Sequence, residues 1–134
     1  MSLYNIRIEF LLMLLFFSLT MCSASIFGRV HVKISNELGQ GLVLNLHCKS
    51  RDDDLGSHAL PIHGSFQFSF RPSVIRTTIF TCSFQWNGGY HVAEIYNHDR
   101  DRCRNCTWSI IPSGPWLYNF DTKKSYCYLW PQKG

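Results

Sequence analysis

Charge is scarce in this chain: Asp, Glu, Lys and Arg make up 16% of its 134 residues, against 46% hydrophobic. That balance excludes an intrinsically disordered chain, which needs few apolar residues and an excess of charge. Long hydrophobic runs are lacking as well. The apolar run Phe10–Phe17 falls well short of the ~20 residues that a membrane span requires, so no transmembrane anchor is expected. No apolar pattern keeps a helical period beyond a turn or two, and no repeat, linker or low-complexity tract occurs, which excludes bundles and solenoids. The motifs G-x-S-x-G and H-E-x-x-H are absent, so no familiar hydrolase signature is present. The 13 basic residues are scattered among 9 acidic ones rather than clustered, which does not suit nucleic acid. Nothing in the sequence calls for a cofactor or a metal.

What is there begins at the N-terminus. Arg7 precedes the Phe10–Phe17 run, and the small residues Ser23, Ala24 and Ser25 follow it. This is the charged, apolar and small-residue order of a secretory signal peptide. Cleavage is expected after Ala24, which makes residues 1–24 the signal and residues 25–134 a single secreted, extracellular domain. Arg7 and Glu9 leave together, so the formal net charge stays at +4. Cys22 leaves too, and Cys48, Cys82, Cys103, Cys106 and Cys127 remain. An exported chain meets an oxidising compartment, so these cysteines read as disulfide formers. A domain this small buries only about 60–70% of its unfolded surface, and bridges of ~2–4 kcal/mol each would matter to it.

The mature sequence reads as short strands. Val30, Val32 and Ile34 alternate with polar residues, as do Phe66, Phe68 and Phe70, and Leu42, Leu44, Leu46 and Cys48 alternate with Val43, Asn45 and His47. A polar stretch, Lys49–Ser57, interrupts the pattern, and Pro72 ends the strand before it. Thr77–Trp86 is the strongest strand, and Asn87-Gly88-Gly89 turns it into a returning strand at Tyr90–Tyr96. A charged loop, His98–Arg104, precedes a strand carrying Cys106, Trp108 and Ile110, and a last hairpin turns at Asp121–Lys124. The expectation is an all-β fold, a small antiparallel β-sandwich of about seven or eight strands, disulfide-stapled, with a barrel as the alternative closure. Cys48, Cys82 and Cys106 fall on apolar faces, where bridges across a sandwich would sit.

Several motifs carry competing readings. Cys103-Arg-Asn-Cys106 has neither the βαβ context of a redox motif nor further ligands for zinc, so it reads as structural, each cysteine bridging to another strand. The pairing among the five cysteines is left open by spacing alone. Asn105-Cys106-Thr107 fits the N-glycosylation sequon. Asp52, Asp53 and Asp54 lack the alternating ligands of a calcium loop and read as a solvated loop. Asp99, Arg100, Asp101 and Arg102 form either a solvated loop with local ion pairs or an exposed recognition surface. Such charges would steer and select a partner more than hold it. The histidines at 31, 47, 58, 63, 91 and 98 would support a small secreted hydrolase or nuclease only if two of them converged in one cleft. A third reading, a cell-wall polysaccharide-binding module, would need Trp116, Tyr118, Tyr126 and Trp130 in one exposed row.

The segment His47-Cys-Lys-Ser-Arg-Asp-Asp-Asp-Leu-Gly56 resembles the signature of the plant self-incompatibility S-protein family, the S-protein homologues. Val32–Asn36, Thr78–Cys82 with Phe84 and Trp86, and Cys103-Arg-Asn-Cys106-Thr-Trp108 resemble further family elements in the same order. The resemblance runs from about Val30 to Trp130. It implies a small secreted disulfide-bonded β-sandwich without enzymatic activity, a ligand read by a membrane receptor. Reproductive cell–cell communication, including self-incompatibility, is among the roles it implies. Many family members have a cysteine where this chain has Trp116. The resemblance therefore implies two bridges among Cys48, Cys82, Cys103 and Cys106, with Cys127 left unpaired. The receptor loops would be Lys49–Ser57 and His98–Arg104, and nothing specifies the oligomeric state.

Overall fold

The computed structural model of the protein describes residue 5, residues 7–15 and residues 28–131. Residues 7–15 are helical and exposed, and no helix among the described residues is long and apolar enough to cross a membrane. The expected cleavage point after Ala24, and Cys22 before it, lie outside the described residues.

Nine strands follow: β1 (Val30–Asn36), β2 (Leu44–Lys49), β3 (Asp54–Leu60), β4 (Ser65–Phe70), β5 (Ile79–Trp86), β6 (Gly89–Asn97), β7 (Asn105–Ile111), β8 (Gly114–Asn119) and β9 (Lys124–Cys127). They form a five-stranded sheet in the order β4-β1-β7-β8-β9 and a four-stranded sheet in the order β3-β2-β5-β6. The sandwich follows from period-two alternation, which gives each strand one apolar face. β1 buries Val30, Val32 and Ile34 and exposes His31 and Lys33. β5 buries Phe80, Cys82 and Phe84, and β7 buries Cys106, Trp108 and Ile110. The inward faces meet in one core. Phe68 and Phe70 of the five-stranded sheet place their ring centroids 4.9 and 4.6 Å from that of Phe80 in the other sheet. Such aromatic pairs add about 0.5–1.5 kcal/mol each beyond area burial.

All pairings are antiparallel except that of β1 with β7, which is parallel. A parallel neighbour needs a long crossover, and the chain between β1 and β7 supplies one by running through the other sheet. Buried Asn36 ties the departure from β1 to both sheets. Its side-chain amide donates to the carbonyls of Leu42 (2.8 Å) and Leu60 (2.9 Å), and its Oδ1 accepts from the Leu38 amide (3.0 Å).

The structure departs from the sequence reading at β3. The polar loop ends at Asp53, and Asp54–Leu60 pairs with β2 as an edge strand. Only Leu60 of that strand is buried, so alternation gives it almost no signature.

The bridges differ from expectation as well. Cys48 and Cys82, 34 residues apart, are register partners on neighbouring strands of one sheet. Cys103 closes on Cys106, three residues on, not on another strand. Neither bridge therefore crosses the sandwich. Cys48 finds its partner directly opposite, with Cα atoms 4.0 Å apart, and Cys103 enters β7 beside Cys106. Cys127 is exposed and unbridged.

Candidate functional site

Strand direction brings four connections to one end of the sandwich: residues 50–53, 71–78, 98–104 and 120–123. They are tied to one another. Arg76 reaches the Asp52 carboxylate at 3.7 Å, joining the second connection to the first. The Thr77 hydroxyl donates to Asp99 at 2.8 Å, and the His98 amide donates to the Thr78 carbonyl at 3.1 Å, joining the second to the third. The Arg104 amide donates to the Asp121 carboxylate, joining the third to the fourth.

Two grooves separate these connections. One, of about 570 Å³, is lined by Lys49, Arg51 and Arg76 among the hydroxyls of Ser50, Ser73 and Thr77. The other, of about 350 Å³, runs between Val74, Ile75 and Thr77 on one side and Asp99 and Arg102 on the other. Val74 and Ile75 stand at the crest shared by that end, 71% and 90% exposed. The sequence reading passed over both. They belong to no alternating strand, and two adjacent branched apolar residues between Pro72 and Arg76, with no strand to bury them, were the signal available.

The acidic run does not converge. Asp52 faces Arg76, Asp53 closes a tight loop by accepting from the Ser50 amide at its carbonyl and donating its own amide to the Ser50 hydroxyl, and Asp54 opens β3. The Asp54 carboxylate accepts from the Gly56 amide (2.9 Å) and pairs with the His47 ring. The Gly56 amide first, and then His47, hold its pKa below the ordinary carboxylate value.

The second charged run splits in two. The Asp101 side chain is 1% exposed. It accepts from Nε and Nη2 of Arg100 at 2.6 and 2.8 Å and from the Asn97 amide at 3.0 Å. Arg100 also donates to the Glu94 carbonyl at 2.9 Å. Its guanidinium lies 5.8 Å from the Trp108 ring centroid and 5.3 Å from that of Tyr128, within cation–π range. The bond to Asp101 raises the Arg100 pKa against the opposing effect of burial. The expected exposed run of four recognition charges is therefore corrected. Only the Asp101 side chain is buried; Arg100 lies over it while staying partly exposed, and Asp99 and Arg102 face outward.

The six histidines are dispersed. His47 pairs with Asp54, His63 with Glu37, and His58 bonds the Leu55 carbonyl. His91 stacks on Trp130, His98 meets the Tyr96 hydroxyl at 2.8 Å, and His31 lies on the outer face of the five-stranded sheet. The paired geometry that a histidine hydrolase requires is not formed by them. Burial holds the Tyr96 phenol at a pKa of about 12.

The aromatic row needed for a polysaccharide platform is also not formed as expected. Trp130 is 8% exposed and donates to the Pro112 carbonyl. Tyr126, exposed on the edge strand β9, is the register partner of Leu117 and so lies on the other face of the sheet from Trp116 and Tyr118.

The family model described as Plant self-incompatibility protein S1 matches residues 31–130. S-protein homolog 3 of Arabidopsis thaliana is 46% identical over 106 residues, covering 74% of this chain and 71% of its own. S-protein homolog 29 of the same plant is 38% identical over 122 residues, covering 87% and 90%. Self-incompatibility protein S1 of Papaver rhoeas is 33% identical over 120 residues, covering 86% and 84%. Among solved structures, the fold is similar to one described as "Structure of SPH (Self-Incompatibility Protein Homologue) proteins, a widespread family of small, highly stable, secreted proteins from plants", with a TM-score of 0.58 at 18% identity, covering 80% of this chain and 98% of that one.

Proposed function

The chain belongs to the plant self-incompatibility protein S1 family, and on that premise we propose that it is a secreted recognition ligand, read by a membrane receptor protein on another cell. It acts by binding, without turnover, and reproductive cell–cell communication is the setting that the name of its poppy relative suggests. Export rests on the signal-peptide pattern of residues 1–24 and on the description of the SPH fold neighbour as secreted.

The observation that carries the reading is the apolar crest Val74–Ile75, set among Arg51, Arg76, Asp99 and Arg102 at the end where four connections meet. A rigid sandwich that holds loops at one end presents them at little ordering cost. Exposed branched side chains supply area that a receptor pocket can desolvate, and the surrounding charges select the partner and speed encounter.

The test uses secreted, oxidised protein on receptor-bearing target cells. Combined Val74→Ser and Ile75→Asp substitution should weaken binding about tenfold or more, equivalent to ~1.4 kcal/mol or above, with the urea midpoint unchanged. Equal binding by variant and parent would reject the crest as the recognition surface.

A further inference from the structure

We propose that Asn105 carries an N-linked glycan whose first sugars lie along the outer face of the five-stranded sheet, seated on Phe120 and Tyr118. The proposal rests on the export part of the proposed function and not on the receptor.

Asn105 opens β7 and is exposed. Alternation turns Cys106 inward, into its bridge with Cys103, and turns Asn105 and Thr107 outward on one face. Both polar members of the sequon Asn105-Cys106-Thr107 are thereby presented on the same surface. The Asn105 side chain has no protein hydrogen-bond partner among the described residues. On one flank, β1 places His31 beside Asn105 and Lys33 beside Thr107. On the other, β8 places Tyr118 opposite Thr107. Phe120 follows, its amide donating to the Asn105 carbonyl at 3.4 Å.

A groove of about 550 Å³ runs beside Asn105, lined by His31, Lys33, Gln67, Ser69, Thr107 and Phe120, and Tyr118 adjoins it through its contact with Phe120. The groove has the two halves that a sugar needs. Amide, hydroxyl and ammonium groups can bond its hydroxyls and acetamide, and aromatic rings can cover its C–H face. Phe120 is 54% exposed and meets Tyr118 edge to face, centroids 4.5 Å apart. Trp116 extends the same outward row along β8. Phe120 and Tyr118 leave aromatic surface open beside the sequon, within reach of a glycan on the same chain. Chemically, Asn105 Nδ2 attacks C1 of the first sugar of a lipid-linked pyrophosphoryl oligosaccharide. The C1–O bond breaks, the C1–N bond forms, the amide loses one proton and the lipid pyrophosphate departs.

The full chain is expressed in plant secretory cells and recovered from the medium. Mass mapping should find one glycan, at Asn105. Asn105→Gln and Thr107→Ala should lose that mass, and Thr107→Ser should keep it. Enzymatic removal of the glycan should lower the thermal midpoint of the parent. In glycan-bearing Phe120→Ala or Tyr118→Ala, the same removal should lower it by much less. Secreted protein with unmodified Asn105 overturns the whole proposal while leaving export standing. A glycan whose removal leaves the midpoint unchanged, or lowers it equally in parent and both aromatic variants, overturns the seat.

Discussion

Asp99 and Asp101 are two residues apart in the same loop and carry the same charge, yet only Asp101 is buried against an arginine. The difference is set by Asn97. Its Oδ1 accepts from the Asp99 amide (3.0 Å) and more weakly from the Arg100 amide (3.4 Å), bending the chain so that the next carboxylate returns to the Asn97 amide. Removing a carboxylate that satisfies a half-buried amide and a guanidinium leaves both without it. Asp101→Ala should therefore cost about 1–3 kcal/mol, toward the lower end because the Arg100 side chain remains a third exposed. Asp99→Ala should change stability by less than about 0.5 kcal/mol. Urea unfolding of oxidised protein separates the two, and equal midpoints would contradict the scaffold role of Asp101. This split was not legible in Asp99-Arg-Asp-Arg102. The run marks a charged loop correctly, but which charges turn inward depends on Trp108 and Tyr128, which come from distant strands. Asn36 teaches the same lesson: it reads as a turn residue, and its burial depends on carbonyls six and 24 residues away.

At the scale of elements, the strands with a clean apolar period were legible and the one without it was not. β1, β4, β5 and β7 each alternate in sequence as they do in the sandwich. β3 is held by its ladder to β2 and by Leu60, and ladder bonds leave no side-chain signature. Nor does alternation identify cross-strand register, which is why the cysteines could be placed on faces but not paired. The register has an energetic consequence. Cys48–Cys82 closes a separation of 34 residues and Cys103–Cys106 one of 3. Loop-closure entropy then assigns about 3–4 kcal/mol to the first bridge and about 2 to the second. The paired variant Cys48→Ala/Cys82→Ala should lose more stability in urea than Cys103→Ala/Cys106→Ala. The reverse order would mean that the short bridge acts chiefly on the native entry into β7.

For the whole molecule, the formal charge of +4 matters through where it is placed. Lys49, Arg51, Arg76 and Arg102 line the grooves beside the Val74–Ile75 crest, and Asp52 and Asp99 offset only part of that charge. Neighbouring loops from both sheets bring them together, so their proximity required the topology, not the spacing. If this end meets the receptor, its two kinds of side chain should affect different steps. Exposed charges act during approach and are screened beyond about 8–10 Å at physiological salt. Apolar contacts form after docking and act on dissociation. Arg51→Glu with Arg76→Glu should therefore slow association onto receptor-bearing cells and flatten its dependence on salt, leaving dissociation nearly unchanged. Ile75→Asp should speed dissociation and leave the salt dependence of association close to that of the parent. Association and dissociation rates measured at low and physiological salt distinguish the steps. An arginine variant whose association rate kept the parent's value and salt slope would move the receptor contact away from this end of the sandwich, because charges beside a true contact cannot be inverted without being felt during approach.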